Sequence, residues 1–252
     1  MSPRAGSPFD NLVDHYDAGR PSYPQSLYDA LETLARPLAG ARVIECGAGT
    51  GIATRELLLR GARVLALDLS HKMLRRNGER TPGLRAAVAD ARALPVTDRS
   101  ADLACFAAAW HWVAERTEKE AAAEIIRVLR PGGGLAVWWN NPDAEHLEWF
   151  RTKREMLAAL RGRPERKPPP WESGERLADL GLFGDIQHHQ ARWERRLAIE
   201  DYLVQERSFV PVAELGDRLP EYLRAVRSLL VAAFPDGIVT VPYTARLWVA
   251  KI

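Results

Sequence analysis

Cysteine is scarce: only Cys46 and Cys105 occur among 252 residues, both inside apolar runs. Two such thiols build no disulfide framework and read as buried free thiols of a reducing compartment. They have no companion Cys/His spacing, so no metal site is assigned. Long apolar runs are missing as well. No stretch nears the ~18 residues that a membrane-spanning helix needs, and the opening MSPRAGSPFD lacks the apolar segment of a secretory signal. The expectation is a cytoplasmic protein with no membrane partner. Nor is there an excess of one charge: Lys+Arg number 35 against Asp+Glu 33, a formal net charge of +2. That balance does not write a polyanion-binding surface, so no nucleic-acid partner is expected. The basic cluster at Arg161–Pro170 (RGRPERKPPP) has no aromatic residue among its cations and reads as a solvated connector.

What is present is an ordered alternation of periodicities. Asp10–Ala18 predicts a helix, Gly19–Pro24 a turn with two prolines, and Gln25–Leu34 a second helix with Leu27, Ala30, Leu31 and Leu34 on one face. Strands are predicted at 42–45, 63–68, 84–89, 101–108 and 135–139. Helices are predicted at 52–60, at 70–77 with Ser70 as N-cap, and at 118–129, stopped by Pro131-Gly132-Gly133-Gly134. Strand–helix alternation with short connections implies a parallel sheet covered on both faces, with ligands at the carboxyl ends of its strands. Beyond Pro142 come a helix at 147–160, a strand at 185–197, mostly helical residues 199–234 and a final strand at 240–252. The division this suggests is an N-terminal helical lid (1–35), a core (36–145), a connector, late strand and helical cap (146–235), and a last strand (236–252).

The chemistry concentrates at Val43-Ile44-Glu45-Cys46-Gly47-Ala48-Gly49-Thr50-Gly51. Glycines here let the chain turn sharply out of a strand and let a ligand approach the backbone. The spacing G-x-G-x-G is one residue shorter than the dinucleotide fingerprint, and no Gly-Lys-Ser/Thr follows it. Asp68 ends the second strand, where a carboxylate can accept two hydrogen bonds from a ribose diol. The alternative is an N-cap for the next helix, a place Ser70 already fills. Asp90-Ala91 offers an acceptor where an adenine amino group would lie, or else a simple turn aspartate.

These residues carry a resemblance. Glu45–Gly51, Asp68-Leu69-Ser70, Asp90-Ala91, Ala109-Trp110-His111-Trp112 and Leu129-Arg130-Pro131-Gly132-Gly133 resemble motifs of the class I S-adenosylmethionine-dependent methyltransferases. The branch they resemble acts on small molecules and includes the ubiquinone-biosynthesis and trans-aconitate types. Tyr16–Pro24 is similar to that branch's N-terminal stretch. The resemblance implies a Rossmann-like, doubly wound α/β sheet of seven mostly parallel strands, the last antiparallel, under a helical cap. It implies S-adenosyl-L-methionine as cofactor. Glu45, Gly47, Ala48, Gly49 and Gly51 would pass its methionyl part, Asp68 and Leu69 its ribose, Asp90 and Ala91 its adenine, and Ala109 its edge. Cys46 sits where the family tolerates several small residues and should be inert packing.

Methyl transfer from a sulfonium is an in-line displacement, so the protein's task is alignment and exclusion of water. Aromatic faces suit a cation, which makes Tyr16, Tyr23, Trp110 and Trp112 candidates, with core packing as the alternative. Arg20 is placed to pair with a carboxylate of the cofactor or of an acid substrate, or else is a surface cation. Trp138 and Trp139 face opposite ways on one strand, so both are not expected in the core. Trp139 and Asn140 join Trp110, Trp112 and Tyr23 as acceptor-site candidates. His111 is the candidate base, with a purely shaping role as the alternative. The expected activity is O-methylation of a small molecule bearing a carboxylate or hydroxyl group. A nucleic-acid or protein methyltransferase would have to do without Asp/Asn-Pro-Pro-Tyr/Phe after the fourth strand. A nicotinamide-dependent oxidoreductase would have to use the shortened glycine loop.

Overall fold

A computed structural model describes residues 12–162 and 169–252, with the side chains of 114–116 left out. The expected helix start at Asp10 and most of the basic connector therefore lie outside the described residues. Helix α1 (Val13–Gly19) stops at Arg20, whose extended backbone (φ −70°, ψ 136°) is what the following Pro21 imposes. Helix α2 is Gln25–Leu34 and buries Leu27, Tyr28 and Leu31. The alternating core follows as β1 (Arg42–Cys46), α3 (Ile52–Leu59), β2 (Arg63–Asp68), α4 (His71–Arg80), β3 (Arg85–Val88), β4 (Ala101–Ala107), α5 (His111–Val128) and β5 (Leu129–Pro142). The later elements are α6 (Glu148–Arg161), the short α7 (Glu172–Glu175), β6 (Ile186–Ala198), α8 (Ile199–Arg207), the short α9 (Val210–Ala213), α10 (Leu219–Ala233) and β7 (Ile238–Lys251). No described helix is long and apolar enough to cross a membrane.

One seven-stranded sheet runs in the order β3-β2-β1-β4-β5-β7-β6. Neighbours from β3 to β5 are parallel, and β7 is antiparallel to both β5 and β6. All seven strands lie where the sequence predicts them, but strand β5, which runs on to Pro142, and helix α5 differ in extent. Strand β5 begins at Leu129, not Leu135: the glycines after Pro131 form a bulge, so pairing with β4 steps from Ala101↔Leu129 to Leu103↔Gly134. Helix α5 begins at His111, not Glu118, and is broken at Thr117 (φ −135°, ψ 22°).

Successive residues of the central strands feed two cores. Ile44, Phe106, Val137 and Trp139 face α5, with its Ala121, Ala122 and Ile125. Val43, Cys105 and Trp138 face α2 and α3, with Leu27, Tyr28, Leu31 and Leu57. Both faces of β5 are covered, so Trp138 and Trp139 are both fully buried, contrary to the expectation that one would be open. Cys46 and Cys105 are buried free thiols.

A third core lies beyond the sheet's carboxyl edge. Strand β5 ends at Pro142, opposite Tyr243. The hairpin of β7 with β6 continues past that point, with Val239 and Val241 opposite Leu197 and Arg195. Helices α6, α8 and α10 close over this projection through Trp149, Phe150, Tyr202, Tyr222 and Val226. Inside it Lys153 Nζ donates to Glu206 Oε1 at 2.8 Å and to Tyr202 Oη at 3.0 Å, while Tyr222 Oη donates to Glu206 Oε2 at 2.7 Å. Both charges are buried. Glu206→Leu strands the ammonium and is expected to cost about 3–5 kcal/mol. Adding Lys153→Met should recover part of that loss in urea unfolding. Equal losses for the single and double variants would show that the pair does not act as a unit.

Candidate functional site

Strand β1 delivers Glu45 and Cys46 to the loop Gly47–Gly51, where the chain turns three times through positive φ: Gly47 at 70°, Gly49 at 55° and Gly51 at 87°. Two of these glycines are set by close packing. A Cβ on Gly51 would collide with the Asn77 amide, and one on Gly47 would lie 2.5 Å from Ala109 Cβ. At Gly49 a Cβ would meet nothing within 4 Å, so this side of the loop is open. Asp68, at the end of β2, holds the loop: its Oδ2 accepts from Gly49 N at 2.9 Å and its Oδ1 from Ser70 N at 2.8 Å. The Ser70 hydroxyl accepts from Met73 N at 3.2 Å, so the α4 cap is Ser70 and not Asp68.

A buried polar chain supports the loop from below. Thr54 Oγ1 donates to Glu45 Oε2 at 2.5 Å, and Asn77 Nδ2 donates to Thr54 Oγ1 at 3.0 Å. Glu45 Oε1 is buried without a hydrogen-bond partner among the described residues. Burial pushes the Glu45 pKa up to about 8; the Thr54 hydroxyl opposes that rise and the Asp68 charge adds to it. Thr54 and Asn77 were not singled out from the sequence. The legible signal was a lone Asn on the buried face of α4.

Helix α1 is clamped from two sides. The buried Asp17 carboxylate meets Arg55 at 3.8 Å, Arg76 at 3.3 Å and Arg80 at 3.0 Å, and Arg55 also donates to Thr50 O of the glycine loop at 2.8 Å. On the other side Arg20 Nη2 donates to Ser208 O at 3.2 Å, its guanidinium 4.1 Å from the Phe209 ring and 4.9 Å from the Tyr16 ring. Arg195 donates to Gly19 O at 2.9 Å. A Cβ on Gly19 would lie 2.7 Å from Gln205 Cα. Arg20 therefore joins α1 to α8, a role its sequence context did not reveal.

The far side of the loop is the end of β4. Ala108 adopts φ 52°, a strained value for a residue with a side chain, and Ala109 abuts Gly47. The next three residues diverge. Trp110 is fully buried, edge-on to Phe106 at 4.9 Å, so the structure places it in the core and not on an acceptor surface. His111 opens α5, and its Nδ1 accepts from Trp139 Nε1 at 3.1 Å. Trp112 is 57% exposed and lies 5.0 Å from the His111 ring. Trp139 offers its N–H to His111 but almost no surface to a ligand. Asn140 is committed on both sides, donating to Ser22 O at 3.1 Å and accepting from Trp193 Nε1 at 2.9 Å. Tyr23 packs edge-on against Trp138 and Tyr28. Its hydroxyl is raised in pKa by burial and by nearby Tyr16 and Glu45.

Two positions flank Asp68 along the sheet edge. Leu69 is 58% exposed, a large apolar side chain beside the carboxylate. The Asp90 carboxylate is bound by Arg92, with Nη2 at 2.6 Å and the Arg92 backbone N at 3.0 Å. This is the turn arrangement weighed above. Ala91 packs against the α5-side core. The fold thus brings Glu45, Gly47, Ala48, Gly49, Gly51, Asp68, Leu69 and Ala109 to one place. It sets Trp110, Trp139, Asn140 and Arg20 to work inside the protein.

Comparison with known proteins is consistent across sequence and structure. Residues 44–137 match the family model described as a methyltransferase domain. An uncharacterised methyltransferase of Mycobacterium tuberculosis is 37% identical over 204 residues, 80% of this chain and 76% of the relative. The malonyl-[acyl-carrier protein] O-methyltransferase of Methylococcus capsulatus is 35% identical over 156 residues, 54% of this chain and 55% of the relative. A solved structure from Anaeromyxobacter dehalogenans, described as a type II methyltransferase, superposes with a TM-score of 0.69. It is 22% identical, covering 92% of this chain and 97% of that one, and so shows a shared fold.

The raised Glu45 pKa has a measurable consequence. Between pH 4.5 and about 8 the folded carboxyl holds a proton that the unfolded chain releases. Stability contributed by that proton falls as pH rises through the window and levels off above it. Urea unfolding of Glu45→Gln should lack this slope, so its stability relative to wild type rises from pH 4.5 to about 8. Parallel pH profiles for the two proteins would contradict the assignment.

Proposed function

The chain belongs to a methyltransferase family, and on that premise we propose that it binds S-adenosyl-L-methionine on the Gly47–Gly51 loop and methylates a small-molecule acceptor on oxygen. The observation that carries this reading is the Asp68 carboxylate, fixed at the end of β2 by Gly49 N and Ser70 N beside the open side of the loop. A carboxylate has about four acceptor positions, and Gly49 N and Ser70 N orient this one at the sheet edge proposed for the ribose diol. The surroundings fit the rest of the cofactor. The open face at Gly49 admits a ligand against the backbone, and Glu45 Oε1, at the end of β1, is buried with no hydrogen-bond partner among the described residues. Leu69 offers an apolar cover, and Asp90 and Ala91 are the candidates for the adenine. When bound, S-adenosyl-L-methionine supplies an electrophilic methyl group on a sulfonium.

This chain's own contribution is alignment and exclusion of water. Helix α1, clamped between the loop side and α8, acts as the lid; the core of α6, α8 and α10 beyond the sheet edge acts as the cap. Tyr16 and Tyr23 belong to the lid segment and Trp112 to the open edge, where an acceptor with an apolar part would rest. Acceptor oxygen as the methylated atom is supported by the Methylococcus relative, a malonyl-[acyl-carrier protein] O-methyltransferase.

Calorimetric titration with S-adenosyl-L-methionine, its demethylated product and NADH in parallel tests the reading. The first two should bind and NADH should not. Asp68→Ala should weaken binding roughly 10- to 100-fold, the value of hydrogen bonds to a charged group, with far-UV circular dichroism unchanged. Binding of NADH alone, or undiminished affinity in the variant, would overturn it.

A further inference from the structure

Beyond Trp139 the α5 side of the sheet turns polar. Trp139 pairs with Arg246 across β5 and β7, and Asn141 pairs with Thr244, so these four side chains share one face. Strand β4 pairs with β5 only as far as Trp138. Asn141 therefore stands at the carboxyl edge, where such sheets hold ligands. Arg246 and Asn141 are diagonal neighbours across the pair, roughly 7–8 Å apart at Cα and within reach of one long side chain.

The fold spends neither of these two side chains. The Arg246 guanidinium lies 4.5 Å over the Trp171 ring and makes no ion pair or hydrogen bond with a described residue. The carboxylates it feels, Asp143 and Glu175, act on it from a distance. Asp143 is engaged elsewhere, by Thr244 Oγ1 at 2.9 Å and Arg192 at 4.0 Å. Asn141 Oδ1 is buried with no hydrogen-bond partner among the described residues, an arrangement that costs stability. A half-turn of the amide about χ2 puts its N–H groups at that orphan position. The pair thus offers a cation and amide donors side by side, unused.

We propose that Arg246 and Asn141, with Trp171 behind the guanidinium, anchor a carboxylate of the methyl acceptor that is not itself methylated. The proposal rests on the methyl-transfer reading above and narrows the acceptor to an acid with a second, reacting group. The guanidinium fork matches a planar carboxylate, and stacking on Trp171 holds that fork in one plane. Position separates the anchored group from the cofactor. In the sheet order β5 and β7 stand two and three strand spacings from β1, roughly 10 and 14 Å. The group held there is not one that the Gly47–Gly51 loop holds. A carboxylate bonded to a guanidinium also has its oxygen lone pairs engaged, which makes it a good anchor and a poor nucleophile.

The Trp171 indole N–H signal of the full chain, assigned in nitrogen-15 NMR by its loss in Trp171→Phe, reports on the anchor. It is followed in titrations with propionate, propionamide and methyl phosphate. Propionate should give a saturable shift and propionamide none. Arg246→Met should weaken propionate roughly 100-fold and Asn141→Leu roughly 10-fold, the values of hydrogen bonds to a charged group. Arg246→Lys, which keeps the charge and loses the fork, should fall between wild type and Arg246→Met. Affinity for the demethylated cofactor, read by calorimetry, should not change in Arg246→Met. No saturable shift with propionate, an equal response to propionamide, or equal loss of the demethylated cofactor overturns the inference. Tighter binding of methyl phosphate than of propionate assigns a phosphate-bearing acceptor and overturns the carboxylate. Formation of methyl propionate from labelled S-adenosyl-L-methionine would make the anchored oxygen the reacting one, and overturns it too. If Arg246→Met does not fold, the wild-type titrations and Arg246→Lys decide. Propionate binding by a chain that fails to bind S-adenosyl-L-methionine upholds the anchor and defeats the methyl-transfer reading alone.

Discussion

The Asp68 carboxylate bridges Gly49 N and Ser70 N, and through them joins the glycine loop, the end of β2 and the start of α4. The loop needs such a tie because its path is conformationally costly: three positive-φ residues follow one strand within five positions. From that tie the neighbouring pieces take their places. Asn77 fills the space that only a glycine at 51 leaves, and it passes a hydrogen bond through Thr54 to Glu45. Ala109 closes on Gly47 from the end of β4. A carboxylate already oriented by backbone amides is poised for a ligand diol without reorganisation, which is how a rigid scaffold limits the entropy lost on binding.

The second organising feature is the joint between the ends of the chain's first 210 residues. Helix α1 has too few apolar residues to dock by burial alone, so it docks by charge and by close approach. Asp17 sits among three arginines of α3 and α4, and Gly19 lets the backbone lie against α8. One short helix thereby reports to the loop through Arg55 and to the cap through Arg20.

Much of this was legible in the sequence, for identifiable reasons. Strands, most helices and the glycine loop are written in local chemistry: period-2 and period-3.6 patterns, a Ser cap at position 70, glycines where the chain must reverse hand. The polar residues read as ligand groups were harder. Arg20 and Asn140 are spent on backbone carbonyls of Ser208 and Ser22, partners 188 and 118 positions away that no local pattern announces. The Trp138–Trp139 pair misled because alternation separates two faces but does not say that both are covered. The early start of β5 was hidden by glycines that form a bulge where they resemble a terminator. Asp17, Thr54 and Asn77 went unremarked because each gains its meaning only from side chains on other elements.

The central claim is that the ligand sits on the Asp68-held loop. Hydrogen exchange of the full chain, with and without saturating S-adenosyl-L-methionine, tests it most directly. The account predicts that protection on binding concentrates at Gly47–Gly51 and Leu69–Ser70, with a smaller gain across α1. Protection confined to the cap helices, or spread evenly with none at the loop, would contradict it.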